Sequence, residues 1–475
     1  MSYVEGKDRK QAILFPDHLD DYVSEDNPVR FVDAFVEAQN LGELGFSRAE
    51  PKDMGRPAYH PGLLLRLYLY GYLNNIRSSR KLEREAKRNI ELMWLMEMLT
   101  PDYRTIADFR KDNMEPIKKT SREFTRLCKK MDLFGGELVA VDGSKFKADN
   151  GRDRNFTKKK LEKLIALADQ RIDEYLAQLD KADREEGETE TKSLTREELK
   201  DRIEELTNRK EKHKQRQKNL EESGEKQISE TDPDSRLMKT REGSAVCYNV
   251  QVAVDSKHKL IVAHEVTSAG SDRGQLANIA KQAKETLEVE NLEVAADMGY
   301  YDCADVKKCE EQGITAYIQK PPLGVMKKGM FTKDNFTYNA EKDVYVCPSG
   351  EELGNKGKGT EKGRQMKYYT TLACGTCVMR SQCTEGAQRR IKRLVDEEVI
   401  ERMAARVRAG PDKLGLRKEL VEHPFGTIKR AMGQGYFLMR GKPKVATEMS
   451  MTVMVYNIKR VINITGVRKM IEALG

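Results

Sequence analysis

The spacing of apolar positions changes several times along the chain, and each change predicts a different element. Phe31, Val32, Phe35 and Val36 recur at helical spacing after Asn27-Pro28, a cap followed by proline at the first helical position. Beyond Tyr59-His60-Pro61-Gly62, the run Leu63, Leu64, Leu65, Leu67, Tyr68, Leu69 and Tyr70 is apolar nearly all round, which predicts a buried helix. Ser78 or Ser79 predicts the start of a helix carrying Arg80, Lys81, Arg84, Lys87 and Arg88. Its apolar side continues through Leu92, Met93, Trp94, Leu95 and Met96. A further helix begins near Asp102, with Ile106 and Phe109 facing in and Arg104, Arg110 and Lys111 facing out. Residues 1–132 are therefore expected to form a helical domain. Its basic faces suit a helix-turn-helix arrangement on DNA, although a bundle with solvated charges has the same pattern.

Glu137-Leu-Val-Ala-Val-Asp142 predicts a short buried strand with Asp142 at its carboxyl end, and residues 133–155 are the first part of a core. Residues 156–226 are dense in charge, with Leu161, Leu164, Ile165, Ala168, Ile172, Tyr175, Leu176 and Leu179 at a coiled-coil period. The period resumes after the polar break at 185–189 with Leu199, Ile203, Leu206, His213 and Leu220, behind a Thr195/Glu198 capping box. An inserted, projecting coiled-coil hairpin is expected. Over 227–320 the second part of the core reads as an antiparallel pair, 245–255 and 260–267, then a helix at 275–287. A strand at 292–297 ending in Asp297, a helix at 304–312 and a strand at 314–319 complete a mixed sheet with helices on its faces. Residues 394–475 return to helices at 395–409, 416–432 and 445–464, with Pro424 expected in a first turn or at a kink.

Residues 321–393 break this regularity and hold four of the eight cysteines. Cys347, Cys374, Cys377 and Cys383 are separated by 26, 2 and 5 residues. A Cys-x-x-Cys knuckle plus two more thiolates suits a closed structural Zn²⁺ site in a segment too polar for a core of its own. Arg380 and the run Arg389-Arg390-Ile391-Lys392-Arg393 would lie beside it as a phosphate-contact surface.

The 475 residues carry 85 Lys and Arg against 77 Asp and Glu, a net charge of +8 that permits nucleic-acid binding. No apolar run approaches the ~18–20 residues of a membrane span, and the start has no secretory pattern, so a cytoplasmic, nucleoid-associated protein is expected. No Walker loop or serine nucleophile elbow is present.

Asp142 and Asp297 each sit where an apolar strand meets a loop, the place where α/β sheets gather active groups. If their strands are neighbours, the carboxylates can share hard divalent cations. Glu422 is the third acidic candidate, with Lys429 two helical turns on. Any one of these residues alone reads more simply as a loop or helix cap.

Together, however, Ala140-Val-Asp-Gly-Ser-Lys145, Ala295-Ala-Asp-Met-Gly-Tyr300 and Val421-Glu-His-Pro-Phe-Gly-Thr-Ile-Lys429 resemble the three catalytic blocks of bacterial insertion-sequence DDE transposases. The group is that of insertion sequence 1182. Tyr59 to Leu65 through Asp108-Phe-Arg110 resembles its InsH-type N-terminal domain, and Asp232 to Arg236 with Tyr248-Asn-Val-Gln251 also matches. The resemblance implies an α/β, RNase H-like mixed-sheet core. It implies Asp142, Asp297 and Glu422 as ligands of two Mg²⁺ ions. It further implies cleavage at the ends of a double-stranded element, strand transfer into target DNA, and a homodimer in a synaptic complex. Where relatives place Tyr and Arg seven and four residues before the glutamate, this chain has Gly415 and Lys418, so Lys418 or Arg417 would replace the arginine. Lys418 and Lys429 join the basic residues expected on DNA. A non-catalytic DNA-binding descendant and a zinc-containing coiled-coil scaffold are the alternatives.

Overall fold

A computed structural model describes residues 18–50, 57–184, 194–322 and 329–475; the chain start and the break at 185–189 lie outside the described residues. Among the described residues seven α-helices come first: α1 (Pro28–Glu37), α2 (Leu41–Leu44), α3 (Pro61–Leu73), α4 (Ser79–Ala86), α5 (Ile90–Leu95), α6 (Tyr103–Asp112) and α7 (Met114–Lys130). Asn27 caps α1 through Val29 N at 3.0 Å, with Pro28 at the first position as expected. α3 is buried on nearly every side. The expected single helix over 79–96 is two, because Asn89 leaves the helix and caps α5 through Glu91 N and Leu92 N. Arg110 does not face out. It is buried, with its guanidinium 5.4 Å from the centre of the Tyr68 ring and Nη1 3.4 Å from Tyr72 Oη. Four residues after the buried Ile106 on α6, it falls on the inward stripe.

The strands follow: β1 (Leu138–Lys147), then β2 (Asn155–Thr157), which pairs with β3 (Gln227–Ser229). Between these two rise α8 (Lys158–Arg184) and α9 (Arg196–Ser223), packed along each other with the Thr195/Glu198 capping box formed. Leu161, Ala168, Leu199, Leu206, His213 and Leu220 are buried in their seam, whereas Leu176 is 42% exposed and lies outside it.

The central sheet adds β4 (Arg236–Thr240), β5 (Gly243–Asp255), β6 (Ile261–Thr267), β7 (Leu292–Ala296) and β8 (Ile314–Ile318). β6, β5 and β1 run antiparallel in that order, and β7 then β8 continue parallel to β1. α10 (Leu276–Leu287) and α11 (Cys303–Glu311) cover the face of Val139 and Val141. The Cys-rich region is a second, five-stranded antiparallel sheet of β9 (Thr337–Asn339), β10 (Val344–Val346), β11 (Glu352–Glu361), β12 (Arg364–Thr370) and β13 (Ile391–Leu394), with the short α12 (Arg380–Cys383) before β13. It has its own small core of Phe336, Tyr345, Leu353, Tyr369 and Ile391, contrary to the expectation from its polarity. The basic run at 389–393 is not one surface. β13 alternates, so Arg393 is buried on Tyr338 and paired with Glu401 at 2.5 Å, while Arg390 and Lys392 face out.

The chain closes with α13 (Glu397–Ala409), α14 (Asp412–Gly426), α15 (Lys442–Thr465) and α16 (Val467–Glu472). Pro424 lies inside α14 rather than in its first turn, and the helix runs on into a π-turn over Thr427–Ala431. α15 packs on α7, α3 and the edge strand β6, so one apolar core joins the N-terminal helices to the sheet. Asn457 serves both backbone groups of Ile261 at 2.9 and 2.8 Å. The Asp232–Arg236 block is structural: Asp232 accepts from Tyr248 Oη and Gly441 N, and Asp234 from Lys442 N, pinning the start of α15. Among the described residues no helix is long and apolar enough to cross a membrane.

Candidate active site

β7 pairs with β1 only as far as Ala296 opposite Val141. Asp142 and Asp297 are the next residue on each strand, so the two carboxylates stand at one level where parallel neighbours part. Adjacent strands lie ~4.8 Å apart. Asp142 is not at the end of β1, as expected from the sequence; β1 continues to Lys147 because β5 still pairs with it. Asp142 Oδ1 accepts from Gly143 N at 2.9 Å. Asp297 Oδ1 accepts from Gly299 N at 2.8 Å, so this residue also caps a 3₁₀ turn. Burial pushes the Asp142 carboxyl up to about 6; Arg417 opposes this, and Asp297 and Asp272 add repulsion.

α14 crosses β1 and β7. Of the two cations considered at its start, Arg417 is the one turned inward. Its Nη1 is buried without a hydrogen-bond partner, 3.9 Å from Asp142 Oδ1, while Lys418 is exposed. Glu422 is exposed on the same helix. Lys429 is half-buried and donates to Ser144 Oγ at 2.6 Å and Lys145 O at 2.7 Å, so it lies along β1 just beyond Asp142. Among the described residues, no three acidic, histidine or cysteine side chains already stand together as a metal site. The acidic side chains near β1 and β7 offer only hard oxygen donors, the set that suits Mg²⁺.

Sequence reasoning missed Asp272. Its Oδ1 accepts from Asn249 Nδ2 at 2.7 Å, Gln251 Nε2 at 2.8 Å and Lys145 Nζ at 3.4 Å. Gln251 Oε1 in turn accepts from Tyr300 Oη, and Asn249 Oδ1 is buried without a partner. Burial holds the Tyr300 hydroxyl well above its ordinary value, with Asp272, Asp142 and Asp297 adding to it. Glycine makes room for this hub at Gly143, where a Cβ would lie 2.4 Å from Asp272 Oδ1; a Cβ at Gly299 would instead crowd Asp297 Oδ1 at 2.9 Å. The only signal in the sequence was Gly143 beside Asp142.

Arg80, Lys81, Arg84, Lys87, Arg88 and Arg104 are all exposed on α4, α6 and the turn after α4. Arg84 and Arg88 pair with Glu85, and Lys87 with Glu83, which offsets part of the charge. Arg80 and Arg104 lie 5.1 and 5.8 Å from the centre of the Tyr103 ring.

Two family models match the chain: "Transposase domain (DUF772)" over residues 17–112 and "Transposase DDE domain" over residues 346–462. The first spans α1 to α6, and the second runs from the Cys-rich sheet through α14 into α15. No curated protein matches the sequence. A piggyBac transposase, solved in a synaptic complex with hairpin DNA, aligns over 94% of this chain and 79% of its own at 8% identity. Its TM-score of 0.33 is too low for that likeness to carry weight. The two models lie in chain order and both describe transposase domains, the second of the DDE kind, which supports a DDE transposase, an enzyme of DNA transposition and recombination.

Proposed function

We propose that this transposase binds the terminal repeats of its insertion sequence and catalyses Mg²⁺-dependent strand cleavage and strand transfer at Asp142, Asp297 and Glu422. The observation that carries this reading is the register: Asp142 and Asp297 follow the last paired residues of adjacent parallel strands. The order β6-β5-β1-β7-β8, three antiparallel strands followed by two parallel ones, supports an RNase H-like core. Glu422 is carried by α14, the helix that packs over both aspartate strands, and its side chain is exposed. Bound metal ions would supply a hydroxide at neutral pH and stabilise charge on the leaving oxygen.

The chain's own residues do the rest. Asp142, Asp297 and Glu422 would hold the ions. The inward Arg417 guanidinium, with an N–H that makes no hydrogen bond, would be available to a phosphate oxygen once bound cations neutralise the carboxylates. Lys429 fixes the end of β1 and places an ammonium beside the strand path. Arg80, Lys81, Arg84, Lys87, Arg88 and Arg104 contact the phosphates of the terminal repeat, and Lys418 those near the cut. Residues 1–132 form the DNA-binding domain, 156–226 and 321–393 are insertions, and 133–155, 227–320 and 394–475 build the catalytic core. Two ends held together require two copies of the chain.

The test is cleavage of a linear duplex carrying the element's ends. Nicks at the ends that need Mg²⁺ and vanish in Asp142→Asn, Asp297→Asn and Glu422→Gln, while DNA binding persists, are expected. Binding without cleavage by the wild-type protein under all metals would favour the non-catalytic descendant.

A further inference from the structure

Cys347, Cys374, Cys377 and Cys383 come from separate parts of the second sheet, yet all four line one pocket. Cys347 follows β10, Cys374 lies in the 3₁₀ turn Leu372–Gly375, Cys377 comes just after it, and Cys383 ends α12. The rest of the lining includes Phe331, Phe336, Leu353 and Met379.

We propose that this pocket is a structural Zn²⁺ site, closed by the four thiolates, that ties the β10–β11 turn to the segment before β13. Three features support it. Thiolates are soft donors, and a four-sulfur set selects tetrahedral Zn²⁺. The first ligand sits in a knuckle: Gly350 N donates to Cys347 O at 2.9 Å, and Gly350 takes φ +84°, which keeps the turn tight. Arg380 and Arg389 also line the pocket, so two positive charges stand beside a Zn(Cys)₄ unit whose own net charge is −2. Arg389 is fixed there by Cys383 O at 2.9 Å and Phe331 O at 3.1 Å. Such outer groups orient and neutralise metal ligands. Among the described residues no three of these side chains already stand at metal-binding spacing, so Cys347, Cys374, Cys377 and Cys383 would have to close on the ion within the pocket they line. The site leaves no open position and takes no part in phosphodiester chemistry, so it stands whether or not the Asp142 reading does.

The experiment measures metal in the full-length protein purified under reducing conditions with zinc in the medium. About one zinc per chain is expected, released by a mercurial thiol reagent in proportion to four thiols. Cys377→Ser and Cys383→Ser should lose it, and Cys128→Ser should keep it. Exchange for Co²⁺ in the wild-type protein should give the intense absorption of a tetrahedral thiolate site, a readout that needs no variant to fold. Zinc content at background, iron in place of zinc, a Co²⁺ spectrum without thiolate bands, or full zinc retention in a folded Cys377→Ser protein would each overturn the proposal.

Discussion

Gly143→Ala separates two physical expectations of opposite sign. In an extended strand, alanine costs less conformational entropy than glycine, so the change alone should stabilise by ~0.5–1 kcal/mol. The structure reverses that. The new methyl would lie 2.4 Å from Asp272 Oδ1, 2.5 Å from Gln251 Nε2 and 3.1 Å from Asn249 Oδ1. Carbon contacts need ~3.5 Å, so Asp272 and Gln251 must each retreat by about 1 Å. They cannot do so freely, because they are bonded to each other at 2.8 Å and Gln251 is fully buried. Overpacking of this kind costs ~1–3 kcal/mol. We expect a net loss of about 1–2 kcal/mol in urea unfolding, from the difference of those two terms. The same shift moves the polar hub behind Asp142, and a 1 Å misplacement costs on the order of 100-fold in rate. Cleavage of the end-bearing duplex should therefore fall about 100-fold while DNA binding is retained. A Gly143→Ala protein at least as stable as wild type and equally active would refute the role given to Asp272 and its glycine-made space.

Asn457→Ala should cost about 2–4 kcal/mol in urea unfolding, because it strands a buried N–H and C=O of Ile261 on the edge strand; a loss under ~0.5 kcal/mol would contradict that pairing. Arg84→Gln and Arg104→Gln should each lower the salt dependence of duplex binding by about one unit of slope. Arg110→Gln, whose side chain is buried, should lower stability and leave that slope unchanged. Burial pushes His264 down to about 4 from an ordinary 6.5, beside Ser450 at 2.9 Å. Below pH 6.5 the unfolded chain takes up this proton and the folded chain does not. The resulting stability is therefore present above that pH and lost as pH falls toward 4, by up to ~3 kcal/mol. His264→Gln should flatten the pH dependence by one proton across that window, as measured by unfolding at several pH values.

Local chemistry was legible in the sequence wherever one residue could set its own surroundings. Asn27-Pro28, Thr195/Glu198 and Asp102 mark helix starts that the chain adopts, because a cap needs only the next three residues. The antiparallel pair, β7 and β8 as strands, and the long helices around the polar break were legible from period alone. Asp142 and Asp297 stood out as candidates because each follows an apolar strand run. The sequence could not decide what depends on partners far along the chain. Asp142 lies mid-strand because β5 outlasts β7 beside β1. Arg417 rather than Lys418 meets Asp142, since the phase of α14 over the sheet is set by the burial of Leu420 and Val421. Arg110 turns in although Arg104 and Lys111 on α6 face water. Asp272 comes from a loop with no motif of its own and finds its place through Asn249, Gln251 and the space left by Gly143. Period and capping act over a few residues and can be read in order; which charge is buried, and against what, is fixed only when the sheet and helices close on one another.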